Sequence, residues 1–328
     1  MPTYTIRFGG YQPAVSVHTR AARVLGEAIR GRLGDEVAFD LFANVTEQGH
    51  EAVDLLAMVE RGELDLCYFA SSYLARRVPA LAVFDLPFRL GHVRLASNRA
   101  GPATSKSALA LRARVHAALD GALGRRIAEA VAGATGYLVL GAWDNGLRHI
   151  SNRVRPIRHP DDCRGLWIRT LDNALHREVF RALGFEPVTI DVRHLARAVA
   201  DGAVDAQENP LTNLVNFGLH HSHRHVSLTG HFLGVALVLA NRERFAGWPA
   251  HVREAVLQAI AEATCAQRRL AVEEDAACLA RLRADGVELV PAEAIDRAAF
   301  AAAVADITAR EAAALDHELL AALDGDRS

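Results

Sequence analysis

The sequence predicts an α/β protein of two lobes braced by one long helix. Three features carry that expectation: a length of 328 residues, strand and helix patterns that alternate, and a stretch after Pro249 with no Pro or Gly before Gly286. A chain of this length exceeds one typical core and suggests two domains. Alternation of strands with helices argues for largely parallel sheets. A helix of about 36 residues would run roughly 54 Å, wider than a single small lobe.

The elements follow in order. Residues 4–8 read as a first strand. Ser16 can cap a helix whose apolar stripe is Val17, Ala21, Val24, Leu25, Ile29 and Leu33, and Gly34 ends it. Residues 37–43 form the next strand. A helix with Ala52, Val53, Leu56 and Val59 stops before Gly62, and 64–69 is a buried strand. The segment 101–136 is Ala- and Arg-rich and helical by propensity, after an irregular start at Gly101-Pro102. Residues 137–141 are a strand, followed by a β-α-β run with strands at 166–169 and 187–190 around a helix at 174–183. Val252, Val256 and Ile260 share one face of the long helix that Pro249 opens. A strand at 287–290 and an Ala-rich helix from about 292 complete the chain. The lobes are expected as 1–143 with 230–270, and 144–229 with 271–328.

Bulk properties exclude several functions. The formal net charge of -2 gives no basic stripe, so nucleic acid is not an expected partner. The longest apolar runs fall well short of the ~20 residues that span a bilayer. Residues 1–8 carry neither a basic nor an apolar signal region, so either an export signal has been removed or the protein stays in the cytoplasm. Cys67, Cys163, Cys265 and Cys278 match no zinc spacing or disulfide framework and read as buried, inert thiols. Lys106 is the only Lys, so a functional Arg has to be chosen by context.

Catalytic motifs are absent: there is no Gly-x-Gly-x-x-Gly, Walker-type loop, Gly-x-Ser-x-Gly elbow or His-Glu-x-x-His. The run from His220 through His221 and His223 to His225 is the one cluster with metal-like chemistry. It would need ligands from elsewhere to complete four, and a solvated loop is the simpler reading.

The informative region begins at Trp143. Gly146-Leu147-Arg148, Pro156-Ile157, Pro160-Asp161-Asp162, Gly165-Leu166-Trp167-Ile168-Arg169, Ala182-Leu183-Gly184 and Val204-Asp205-Ala206-Gln207-Glu208-Asn209-Pro210 follow in order. With Gly62-Glu63-Leu64-Asp65 and Leu86-Pro87-Phe88 upstream, this set resembles the solute-binding proteins of TRAP (tripartite ATP-independent periplasmic) transporters. The resemblance covers almost the whole chain, apart from an enlarged segment at 98–112. It implies a periplasmic-binding-protein-like fold, two lobes joined by crossing strands and a long helix, that closes on its ligand, with no catalysis and no cofactor. It further implies a small carboxylate as ligand, TRAP permease subunits as partners, a monomer and a periplasmic location. A cytoplasmic carboxylate-sensing relative and a metal-dependent α/β enzyme using the His loop are the alternatives.

By the same resemblance Arg169 pairs with the ligand carboxylate, with Arg148 and Asn209 beside it. The chemistry agrees, because a planar guanidinium offers a carboxylate two parallel N–H donors. Arg169 also ends a predicted strand, where open α/β sheets place ligands. Against this, Arg169 could pair internally with Asp205, and Asn209 could serve a turn before Pro210. Trp143 and Trp167 read as core. Asn173, Tyr11, Tyr68 and Ser71 are pocket candidates by position only. Val192 stands where many members carry an aromatic residue, His194 and Ala196 replace the usual Glu and Tyr, and Ala70 stands where sialic-acid receptors have Glu. These departures imply an acid with one essential carboxylate and an uncharged or hydroxylated remainder.

Overall fold

The computed structural model describes residues 2–89 and 106–324, so the enlarged segment up to 105 lies outside the described residues. Among the described residues there are nine strands: β1 (Tyr4–Gly9), β2 (Val37–Phe42), β3 (Leu66–Ala70), β4 (Tyr137–Asn152), β5 (Trp167–Thr170), β6 (Glu186–Thr189), β7 (Ala206–Pro210), β8 (His225–Asn241) and β9 (Glu288–Val290). They join in the order β2-β1-β3-β8-β4-β7-β5-β6, with β9 on β8. Parallel pairing holds within β2-β1-β3 and within β7-β5-β6, while β4 and β8 pair antiparallel with each other and with β7 and β3. The sheet is therefore more mixed than expected.

That mixture comes from β4 and β8, which run 16 and 17 residues, the first of them where the sequence suggested only 137–141. Both are apolar at one end, buried in β8 and mostly half-buried in β4, and carry buried polar residues at the other, so no single period marks their length. They connect separate hydrophobic clusters. One holds Phe8, Leu25, Phe69, Trp143 and Leu237; a second holds Ile168, Phe180 and Phe300; a third holds Leu195, Leu211 and Leu228. The 35-residue helix Ala250–Ala284 places Val252, Val256 and Ile260 in the first and Leu279 and Leu282 in the third, so it does brace the molecule. Helix His317–Asp324 packs Leu319 and Leu323 into the first cluster.

Ser16 accepts from the Thr19 amide at the start of helix Val17–Leu33, and Gly34 at φ 55° follows its end. Helix Lys106–Asp120 anchors the far side of the enlarged segment through buried charge. Its Arg112 pairs with Asp275 of the long helix and lies 3.6 Å from Asp144 of β4, and His116 lies 3.0 Å from Asp144. Cys67, Cys163 and Cys278 are buried as expected, but Cys265 is exposed. Trp143 is core, whereas Trp167 is 54% exposed at the start of β5.

Candidate functional site

The site forms where β4 and β8 leave the first cluster. Pairing between them shifts register at Asp144/Leu147 and again at Arg148/Ile150. The Asp144 carboxylate accepts from the Gly146 amide at 2.7 Å, and Gly146 adopts φ 80°. A Cβ there would stand 2.8 Å from Pro210 Cβ, so only glycine lets β4 approach β7 this closely. The bulge delivers Arg148 against β7.

Arg148 is buried and already neutralised. Its guanidinium donates to both Glu208 carboxylate oxygens, at 2.5 and 2.8 Å, and at 3.3 Å to Asn209 Oδ1. Burial alone would raise the Glu208 pKa, but Arg148 and the His231 contact at 3.4 Å hold it well below the usual carboxylate range. Asn209 also accepts from Asn213 at 3.1 Å and donates to Gln207 at 2.6 Å. It sits within β7, so it does not form the turn that Pro210 suggested.

Arg169 differs from Arg148 in one decisive respect. It is 2% exposed, its Nε donates to the Ile190 carbonyl at 2.7 Å, and its buried Nη2 has no partner among the described residues. Among the described residues no carboxylate pairs with it. Asp205, the internal partner considered from sequence, is held by Arg153 at 3.1 Å and by the Trp167 amide. Beside Arg169 stands Tyr73, which the sequence reading missed; burial raises its phenol and the Arg169 charge draws it back. Its position two residues after Ser71 was the available signal.

Tyr11, Tyr68 and Tyr73 form one aromatic wall, with Tyr11 ring centroids 5.4 Å from Tyr68 and 6.4 Å from Tyr73. Arg148 is near enough to bear on both Tyr11 and Tyr73, so the structure brings these residues together with Asn209 and Arg169. Ser71 Oγ and Thr170 Oγ1 are buried and unpartnered. Asn173 is occupied otherwise. Its Oδ1 caps helix Ala174–Ala182, and its Nδ2 donates to Ser72 and Asp85. Val192 packs against both the first and third clusters, while His194 is exposed.

The His-rich loop does not converge. His220 faces the Leu214 carbonyl and Asp285, His223 faces Ser151, and His225 faces Glu288. Among the described residues no group of three or more His, Cys, Asp or Glu could hold a metal ion.

Buried neutral histidines predict an acid response. Burial lowers His18 and His223 to about 4 and His149 to about 3, from 6.5. Their unfolded forms gain protons below about 6.5 while the folded forms stay neutral, so stability is full above that pH and falls toward 4. Asp275, pushed up to about 6 by burial, acts oppositely, but burial also lowers His231, so it is one group against four. The net loss should be on the order of 2–3 kcal/mol per pH unit between about 6 and 4. Urea unfolding at pH 7.5 and 5.0 tests this, and equal stabilities would refute it.

Comparison with known proteins adds the following. Residues 8–314 match the bacterial extracellular solute-binding protein family 7. A solute-binding protein of Verminephrobacter eiseniae is 29% identical over 77% of this chain and 69% of its own. The 2,3-diketo-L-gulonate-binding periplasmic protein of Escherichia coli is 25% identical over 92% and 84%. A TRAP periplasmic solute-binding protein from Bordetella bronchispeptica, with density interpreted as pantoate, superposes with a TM-score of 0.85 at 27% identity over 99% and 100% of the chains.

Proposed function

The chain belongs to the bacterial extracellular solute-binding proteins of family 7, and from that premise we propose that it grips the carboxylate of a small organic acid with Arg169. It is a receptor rather than an enzyme: it captures a small acid between two lobes and delivers it to a TRAP-type membrane importer. The periplasm is the proposed compartment, a monomer the proposed state, and the crossing of β4 and β8 the proposed boundary between lobes.

One observation carries the reading of the site: a buried guanidinium with an unpartnered Nη2 and no carboxylate among the described residues. Burying an unpaired charge is costly, and a bound carboxylate removes that cost. Arg148, Asn209, Tyr11, Tyr68, Ser71 and Tyr73 complete the proposed surroundings, while Asn173 holds the wall in place. Because Glu208 cancels Arg148, the cleft carries one uncompensated guanidinium among the described residues, that of Arg169. This favours one carboxylate with an uncharged remainder. Pantoate and 2,3-diketogulonate, named for two relatives, are hydroxylated monocarboxylates.

A matched set of C3–C6 mono- and dicarboxylates, assayed calorimetrically at neutral pH, tests the charge argument. Hydroxylated monoacids are expected to bind more tightly. Dicarboxylates binding at least tenfold more tightly would show a second cation and overturn it.

A further inference from the structure

We propose that His18 determines specificity in this cleft by accepting, through Nε2, a hydrogen bond from a hydroxyl of the bound acid. The proposal rests on the reading of Arg169 as the carboxylate partner. His18 lies in the first turn of helix Val17–Leu33, directly after β1, at the carboxyl edge of the parallel β2-β1-β3 set. Open α/β sheets present ligand-binding groups at that edge.

The hydrogen-bond roles of the ring follow from its one partner. His18 is 1% exposed, and Nδ1 lies 3.2 Å from Gln12 Oε1. An amide oxygen only accepts, so Nδ1 carries the proton and Nε2 presents a bare lone pair. That lone pair is buried and has no partner among the described residues. Buried polar atoms are nearly always satisfied, so an orphan on a ring stacked against the tyrosine wall calls for a donor from the ligand. Neither a carboxylate nor an aliphatic carbon can supply one. A hydroxyl can.

Position supports the same assignment. The imidazole stacks on Tyr68 with centroids 4.9 Å apart and planes 19° apart. Tyr68 begins the aromatic wall that leads through Tyr11 and Tyr73 to Arg169. Its own hydroxyl already accepts from the Tyr11 amide at 3.3 Å, so it is less free than His18 to serve the ligand. Burial keeps the ring neutral at pH 7, and His18 therefore does not act as a second cation. Carboxylate and hydroxyl are thus read by different residues, Arg169 for the first and His18 for the second.

The test is calorimetric titration with erythronate and galactonate, and with counterparts lacking each hydroxyl in turn. Loss of one particular hydroxyl should weaken binding to the wild-type protein tenfold or more. The same loss should matter less than twofold in His18→Phe, which keeps the stacked ring without the acceptor. In the wild-type protein the ¹⁵N resonance of His18 Nε2 should move on binding the hydroxylated acid and stay in place with the insensitive deoxy acid. This second readout holds even if His18→Phe does not fold. If every hydroxyl matters equally in both proteins, or the resonance does not respond, the proposal is overturned while the role of Arg169 stands. If no acid binds the wild-type protein, the carboxylate reading fails and this proposal fails with it.

Discussion

Arg169→Ala is expected to weaken binding of the acid by about 30- to 5000-fold, which is ~2–5 kcal/mol for loss of one partner of a buried charge pair. The expected stability change is what separates this residue from a structural one. Removing a paired buried charge strands its partner and destabilises the fold. Arg169 has no carboxylate to strand among the described residues, and it is held within the protein by neutral groups, the Ile190 carbonyl at Nε and the neighbouring Tyr73 hydroxyl. The unliganded variant should therefore unfold at nearly the same denaturant concentration as wild type, or a higher one. Arg169→Lys should also bind poorly, because an ammonium cannot reproduce the two parallel donors. Calorimetry and urea unfolding on the same preparations test both halves. Near-normal affinity in Arg169→Ala would remove the central claim, and a large loss of stability would mark Arg169 as structural.

The lobes were legible because their signals are local. Ser16 and Gly34 mark the ends of one helix, and the absence of Pro and Gly marks the span of another. The crossing strands were implied by the resemblance but not by periodicity, since β4 changes at Asp144 from an apolar segment to a polar buried one and the bulge there breaks any alternation. The site divides similarly. Arg169 could be chosen from its strand end and its motif. The state of Arg148 could not, because its neutralisation depends on Glu208, 60 residues away on another strand. His18 gave no sign at all: a lone imidazole on a helix becomes informative only when Gln12, Tyr68 and an unpartnered nitrogen are seen around it.

Glu208→Gln is expected to change both stability and ligand preference. Glu208 is completely buried, and its carboxylate takes two donors from Arg148 with His231 close by. The amide keeps the shape but removes the charge, leaving the Arg148 guanidinium buried and uncompensated. Breaking a buried pair from one side typically costs about 3–5 kcal/mol, and urea unfolding of the unliganded variant should register a loss of that order. The same change gives the cleft a second free guanidinium beside Asn209 and the tyrosine wall. A dicarboxylate such as succinate should then gain at least tenfold in affinity relative to a hydroxylated monoacid. It should also raise the stability of the variant more than that of wild type, through binding linkage. If the variant loses stability but the order of preference among acids is unchanged, Arg148 does not face the ligand and serves only to hold β4 against β7. If stability is unchanged as well, the pairing of Arg148 with Glu208 is not what sets the charge of the cleft.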